Sequence, residues 1–357
     1  EVRASILPGS NRDTQPRTAA SETLWYRGNF FVLEETLRDL RQSAQAVDLV
    51  IPVSFGINEK GTLKIEEDRG FPSLRGFPVF PDGPVKAGAN WTAPGSRAVD
   101  PLNEGQPVVV PLTAEYEYRG VELYRDIPVH RIFAKYASRY HREGPGFNQL
   151  QGTHNVDILI RVSNGLPLLM RDTLDETYSW PDGSTVRFRG FTLTFGEGIV
   201  PLDRTSLEAS LGKILKPTPA PVPSGSRRIP EGTMAGIDIT NVDEGLRLTL
   251  KDARFYPDSD EFLPAERPRL DLIAQALRQI PDRTFLVEGH TAAVGNPSGE
   301  MELSLQRAKR MVDELISRGI LPERFIYKGW GGTKPLGDNA DDAGRARNRR
   351  VEITILE

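Results

Sequence analysis

Between residues 216 and 226 the chain reads Lys216-Pro217-Thr218-Pro219-Ala220-Pro221-Val222-Pro223-Ser224-Gly225-Ser226, with proline at every second position from 217 to 223. Each proline removes a backbone donor and fixes φ at about −65°, so neither a helix nor an interior strand can run through, and polyproline II is what remains. A chain broken in this way has to build its cores on either side of the break. Residues 216–234 therefore read as an extended, semi-rigid linker.

The length fits that division. At roughly 150 residues per domain, 357 residues make two or three domains. The 45 basic side chains against 49 acidic ones leave a net charge of −4, too small to draw the chain to nucleic acid. There are no cysteines and only four histidines, His130, His141, His154 and His290. That excludes disulfides and thiol chemistry and gives no reason to expect a metal or cofactor. No apolar run reaches the ~18 residues of a membrane-spanning helix. The chain opens on Glu1 rather than Met, as processed material would.

Leu33, Leu37, Leu40, Ala44 and Val47 recur at spacings of four and three, which predicts an amphipathic helix and makes residues 1–48 an N-terminal helical segment. Residues 49–215 read as a β-rich domain, a sandwich or barrel. Its strand-like runs are at 49–55, 108–112, 116–123, 156–162, 185–189 and 191–195, with turn signals such as Pro181-Asp182-Gly183 between some of them. Residues 70–105 are rich in Pro and Gly and read as an irregular insert. A short helix at 204–215 closes this part. Beyond the linker, residues 235–357 read as an α+β domain. A strand pair at 236–240 and 246–250 precedes a helix carried by Leu270, Ile273, Ala274, Leu277 and Ile280. Then come a strand at 284–288, a helix at 305–318 closed by Gly319, and strands at 324–328 and 350–356, an order of βαβαββ.

Four short strings lie in that last part: Val287-Glu288-Gly289-His290-Thr291, Leu303-Ser304-Leu305-Gln306-Arg307-Ala308, Gly319-Ile320 and Asn348-Arg349-Arg350-Val351-Glu352-Ile353. Phe255-Tyr256-Pro257-Asp258-Ser259 precedes them. Together they resemble the OmpA/MotB/Pal peptidoglycan-associating family, with its F-x-x-x-S opening, GHTDxxG turn, LSxxRA helix start and NRRVEI last strand. The resemblance covers about the last third of the chain. It implies a non-enzymatic envelope protein, periplasmic or outer-membrane-associated, with peptidoglycan and other envelope proteins as partners.

In the family, the Asp of the turn and the Arg of the helix start hold the ionised ends of a diaminopimelate side chain. Arg307 matches that Arg, whereas Ala292 stands where the Asp belongs, fifteen residues before it. A guanidinium fork matches a carboxylate and a carboxylate matches an ammonium, so the pocket keeps half of a zwitterion clamp. Glu300, at the position of a family Asn, returns a negative charge to the same loop. The resemblance further places Thr291, Leu303, Ser304, Asn348 and Arg349 at the site. Of Arg349 and Arg350, strand alternation sends one to the pocket and the other to solvent. His290 reads as a hydrogen-bonded structural residue.

Two other readings stand beside this one. With its acid lost, the domain could serve as a protein-interaction module, because fold alone does not fix function. An enzyme in the first two-thirds would need an acid–base pair such as Glu66, Glu67, Asp68 or Asp182, and carboxylates this common carry little information. Three further strings carry no function. Gly329-Trp330-Gly331-Gly332-Thr333-Lys334-Pro335 lacks phosphate-loop spacing, Asp338-Asn339-Ala340-Asp341-Asp342 lacks the rest of a calcium loop, and Asn90-Trp91-Thr92 is a chance-level sequon.

Overall fold

The computed structural model describes residues 2–8, 23–33, 44–58, 63–102, 104–143, 146–196, 202–215, 236–251, 253–280 and 283–357. They fall into two compact units, Glu1–Leu7 with Gly28–Pro52 and Pro201–Glu357, and Pro8–Arg27 with Val53–Val200.

The chain begins with strands β1 (Val2–Pro8), β2 (Leu24–Leu33) and β3 (Gln45–Ile57). Next come β4 (Leu63–Ile65), β5 (Leu74–Arg75), β6 (Asn90–Val99), β7 (Val108–Tyr124), β8 (Ile127–His141), β9 (Gln149–Arg161), β10 (Pro167–Ser179) and β11 (Thr185–Phe195). Helix α1 (Arg204–Leu215) precedes β12 (Ile237–Val242), β13 (Gly245–Lys251), α2 (Arg267–Arg278), β14 (Phe285–His290), α3 (Pro297–Ser317), β15 (Phe325–Gly329), α4 (Asp342–Asn348) and β16 (Arg350–Leu356).

In the first unit the strand order is β1-β2-β3-β15-β14-β16-β13-β12. Strand β14 is parallel to β15 and antiparallel to β16, and all six of its residues are buried. Alternation divides them between two cores. Phe285 and Val287 face the helices, where Leu270, Ile273, Ala274 and Leu277 of α2 meet Ala308, Met311, Val312 and Leu315 of α3. Leu286 faces the other way, toward Ile326, Leu356, Phe31, Leu33 and Val47. Each large apolar side chain removed from water this completely contributes about 1.5–3 kcal/mol.

The α2 spacing predicted from the sequence is the one that packs, and the last strand is as expected. Three readings need correction. The ends of the predicted N-terminal helix are strand: Leu33 closes β2 and Val47 lies in β3, with residues 34–43 outside the described ones. The helix at 204–215 belongs to the first unit, where Leu211 and Leu215 enter the core of the C-terminal domain. A further helix, α4, lies just before the last strand. The linker 216–234 lies outside the described residues.

Helix α3 sits unusually close to the sheet. Gly289 and Gly329 are register partners on β14 and β15. A Cβ at Gly289 would stand 2.0 Å from the Ser304 carbonyl oxygen, and one at Gly329 would stand 2.5 Å from the Leu305 nitrogen. The paired glycines thus form the seat that fixes the N-terminal half of α3, and with it Arg307. Gly289→Ala should push the helix off this seat and cost about 1–3 kcal/mol. An unchanged denaturant midpoint would contradict so close a contact.

The second unit holds a seven-stranded antiparallel sheet in the order β11-β10-β9-β8-β7-β6-β5. On β7, buried Val110, Leu112, Ala114 and Tyr116 alternate with exposed Val109, Pro111, Thr113 and Glu115. Their buried face joins Ile132, Ala134 and Tyr136 of β8 and Val156, Ile158 and Ile160 of β9. Three strands separate β6 from β10, yet Arg97 on β6 reaches Glu176 on β10 at 2.6 Å. The sheet is therefore curled about its buried face. Phe77, from the segment that precedes β6, packs there against Tyr116 and Tyr136. Residues 90–99, expected to be part of an irregular insert, are strand. The two expected runs at 185–189 and 191–195 are one strand passing through Gly190.

Candidate functional site

A cleft of about 920 Å³ opens in the first unit between the start of α3, the loop after β14 and the segment after β13. Six of the eight residues singled out from the sequence line it: Thr291, Ala292, Glu300, Leu303, Arg307 and Arg349. Phe255, Tyr256 and Asp258 line it from the opposite side.

The buried stripe of α3 runs Ser304, Arg307, Ala308, Met311, Val312, Leu315, the three-and-four spacing of a helix face against a core. Arg307 is the one charge on that stripe, only 8% exposed. Its Nε donates to the Ser259 carbonyl at 3.0 Å, and its guanidinium lies 4.7 Å from the centre of the Phe255 ring. Burial holds its pKa below the ordinary arginine value. Arg349 pushes the same way, while Asp258 and Asp260 oppose. A guanidinium that no described carboxylate pairs with, set in a partly apolar cleft, is suited to receive a carboxylate from outside.

The loop after β14 is held by its backbone. Thr291 N donates to Gly331 O at 3.0 Å, Ala293 N to Asn339 Oδ1 at 3.1 Å, and Val294 N and Gly295 N to Glu300 Oε1 at 2.7 and 3.0 Å. Asn296 caps α3 by accepting from Gly299 N, with Pro297 in the first turn. Ala292 is 4% exposed. Glu300 thus acts as the clamp of the loop, with one carboxylate oxygen occupied by two amides.

Ser304 and Asn348 do not line the cleft. Ser304 Oγ donates to Met301 O and accepts from Gly331 N, each at 2.8 Å. Asn348 is fully buried; its Oδ1 accepts from Leu336 N and Gly337 N, and its Nδ2 donates to Gly337 O and Asn339 Oδ1. Both brace the loops that shape the wall of the cleft. Of Arg349 and Arg350, one was expected at the pocket and the other in solvent; Arg349 is exposed at the cleft, whereas Arg350 is buried, and its Nε donates to Glu352 Oε1 at 2.7 Å. The reason is that the face of β16 turned away from the helices is covered too and carries its own charge row. Burial would raise the Glu352 carboxyl, but His290, Arg350 and Arg247 around it bring it down to about 2. His290 is 2% exposed, its Nε2 is 3.7 Å from Glu352, and neither ring nitrogen has a hydrogen-bond partner among the described residues.

The side of the cleft formed by Phe255, Tyr256 and Asp258 was not anticipated as part of the site. Its only sequence signal is the F-x-x-x-S pattern, which marks the segment without saying which way its side chains face.

The OmpA family model matches residues 254–349. The chain is 36% identical over 101 residues to the peptidoglycan-binding protein ArfA of Mycobacterium tuberculosis, covering 28% of this chain and 31% of that protein. It is 39% identical over 105 residues to outer membrane protein A of Bordetella avium, covering 29% of this chain and 54% of that protein. The chain therefore spans between about a third and about half of these relatives. Among solved structures, the cell wall anchor of the T6SS from Pseudomonas aeruginosa is 32% identical, covering 34% of this chain and 87% of that chain at a TM-score of 0.31. The cleft-lining residues from Arg254 to Arg349 fall inside the matched segment. Residues 254–349 of this chain form a domain of the OmpA family.

Proposed function

We propose that the chain is a non-catalytic cell-envelope protein, periplasmic or outer-membrane-associated, whose OmpA-family domain associates with peptidoglycan stem peptides. The observation that carries this reading is Arg307, buried over Phe255 with no described carboxylate paired to it, at the side of an open cleft. Such a group gains most from a ligand carboxylate, which a stem peptide supplies. With Ala at 292 the site meets a zwitterionic side chain with one strong contact instead of two, so its affinity is lower than that of a domain with an acid there.

Sedimentation with insoluble sacculi tests the reading. Wild type should bind, and Ala292→Asp should bind about tenfold or more tightly, since a charge-assisted hydrogen bond contributes roughly 1.5–3 kcal/mol and each decade takes about 1.4 kcal/mol. Ala292 also supports a second reading, in which the domain is a protein-interaction module. Failure of both proteins to bind wall would decide for that one.

A further inference from the structure

The cleft has an arginine for a carboxylate but no acid at 292 for an ammonium, so the question is which of its other carboxylates is available. Three line it: Asp258, Glu300 and Glu302. Glu300 is turned to its own loop, its Oε1 taken by Val294 N and Gly295 N. Glu302 accepts from Gln306 Nε2 at 2.7 Å, one turn along the exposed side of α3. Asp258 is exposed, and no described hydrogen bond or ion pair engages it.

Asp258 is also held in place. Its φ of +52° puts it in the left-handed region, which Asp tolerates better than most residues. The turn around it is closed by Ser259 N to Tyr256 O at 3.2 Å, Tyr256 N to Glu261 O at 2.9 Å, and Glu261 N to Ser259 Oγ at 3.0 Å. The next residue, Ser259, gives its carbonyl to Arg307 Nε. The bond that fixes the arginine therefore fixes the loop that carries the acid. The two side chains do not pair, although the Asp258 charge acts on Arg307 through space. An acid and a guanidinium held near each other but apart leave room between them for a group that carries both charges.

We infer that Asp258 is the acid that meets the ammonium of a zwitterionic ligand end whose carboxylate lies on Arg307, supplying from the 255–260 turn the charge that Ala292 cannot. This rests on the proposed wall-binding reading and adds its selectivity for zwitterionic over purely anionic ends. Asp258 is exposed, so its contribution is smaller than that of a buried acid.

Competition on sacculi-bound full-length protein measures that selectivity, using free diaminopimelate against pimelate, which has the two carboxylates without the ammonium groups. Wild type should be released by diaminopimelate at about threefold to tenfold lower concentration than by pimelate. Asp258→Asn, which keeps the left-handed turn, should lose the preference while still binding, and Glu302→Gln should retain it. If Asp258→Asn keeps the full preference while Arg307→Ala loses binding, the wall site stands and the role of Asp258 is overturned. If wild type does not bind sacculi at all, both fall.

Discussion

Replacing Arg307 with alanine should reduce binding to sacculi by about 10- to 100-fold or more while leaving the domain folded. The size follows from the loss of one charge-assisted hydrogen bond to a carboxylate, roughly 1.5–3 kcal/mol, against about 1.4 kcal/mol per decade of affinity, and a second, parallel bond from the guanidinium fork makes the loss larger. The cost in stability should be only about 1 kcal/mol. The Nε bond to Ser259 and the Phe255 contact are lost, but so is the burden of burying a cation that no described carboxylate neutralises. Arg307→Lys keeps the charge and loses the fork, so it should bind between the two. If binding and melting temperature fell together, Arg307 would be a structural residue. If alanine bound as well as arginine, the cleft would not be a carboxylate site.

The same residue shows what the sequence could reveal. Arg307 was identifiable because it matches the arginine of the LSxxRA string on which the family resemblance rests, and the apolar stripe on α3 and that on α2 at 270, 273, 274 and 277 have one reading only. Asp258 was not identifiable, because a turn residue acquires its role from φ and from the partner of the next carbonyl, neither of which has a periodicity. The two ends of the 33–47 pattern, Leu33 and Val47, misled for a physical reason. A spacing of four satisfies both a helix face and alternate positions of a strand, and Leu33 and Val47 share one core as strand residues. In the second unit, β6 contains Pro94 and Gly95, and β8 mixes charged with apolar residues, so composition alone hid both strands. The Pro-rich segment lies outside the described residues, and it did not mark where a core ends, since Leu211 and Leu215 before it pack with residues after it.

The second unit holds the other large expected effect. Four charged or titratable side chains lie inside its curled sheet, each at an inward position of a different strand or register: Arg97, His154, Asp172 and Glu176. His154 is 1% exposed and Tyr136 stacks on its ring, 4.2 Å between centres. Its Nδ1 is 2.7 Å from Asp172 Oδ2 and its Nε2 is 2.8 Å from Glu176 Oε1. The other Glu176 oxygen accepts from Arg97 at 2.6 Å and from Tyr178 at 3.2 Å. Its Nε2 also lies 2.9 Å from Arg97 Nη1, which disfavours a proton there, but the carboxylate at each nitrogen outweighs it and favours the imidazolium, which donates from both. Two cations and two anions then balance in a space where none could remain alone.

Glu176→Ala should therefore destabilise this unit by about 3–5 kcal/mol, because it leaves Arg97 buried with its neutralising partner removed and His154 with half of its own. Hydrogen exchange on β9 and β10 of the full chain reads this unit separately from the other. The pH dependence has two limbs. Burial would lower the His154 pKa, but bonding to Asp172 and Glu176 raises it above its ordinary 6.5. Its contribution is therefore complete below 6.5 and is lost as pH rises through the raised value. Burial would raise the Glu176 carboxyl, but His154 and Arg97 bring it from 4.5 to about 2, so its contribution is complete above 4.5 and is lost as pH falls through about 2. Protection of β9 and β10 should therefore be greatest between pH 4.5 and 6.5, decline on either side, and lose its acid limb in Glu176→Ala. Protection that rose steadily from neutral into alkaline pH would show that His154 is buried uncharged, and the charge-balanced cluster would have to be abandoned.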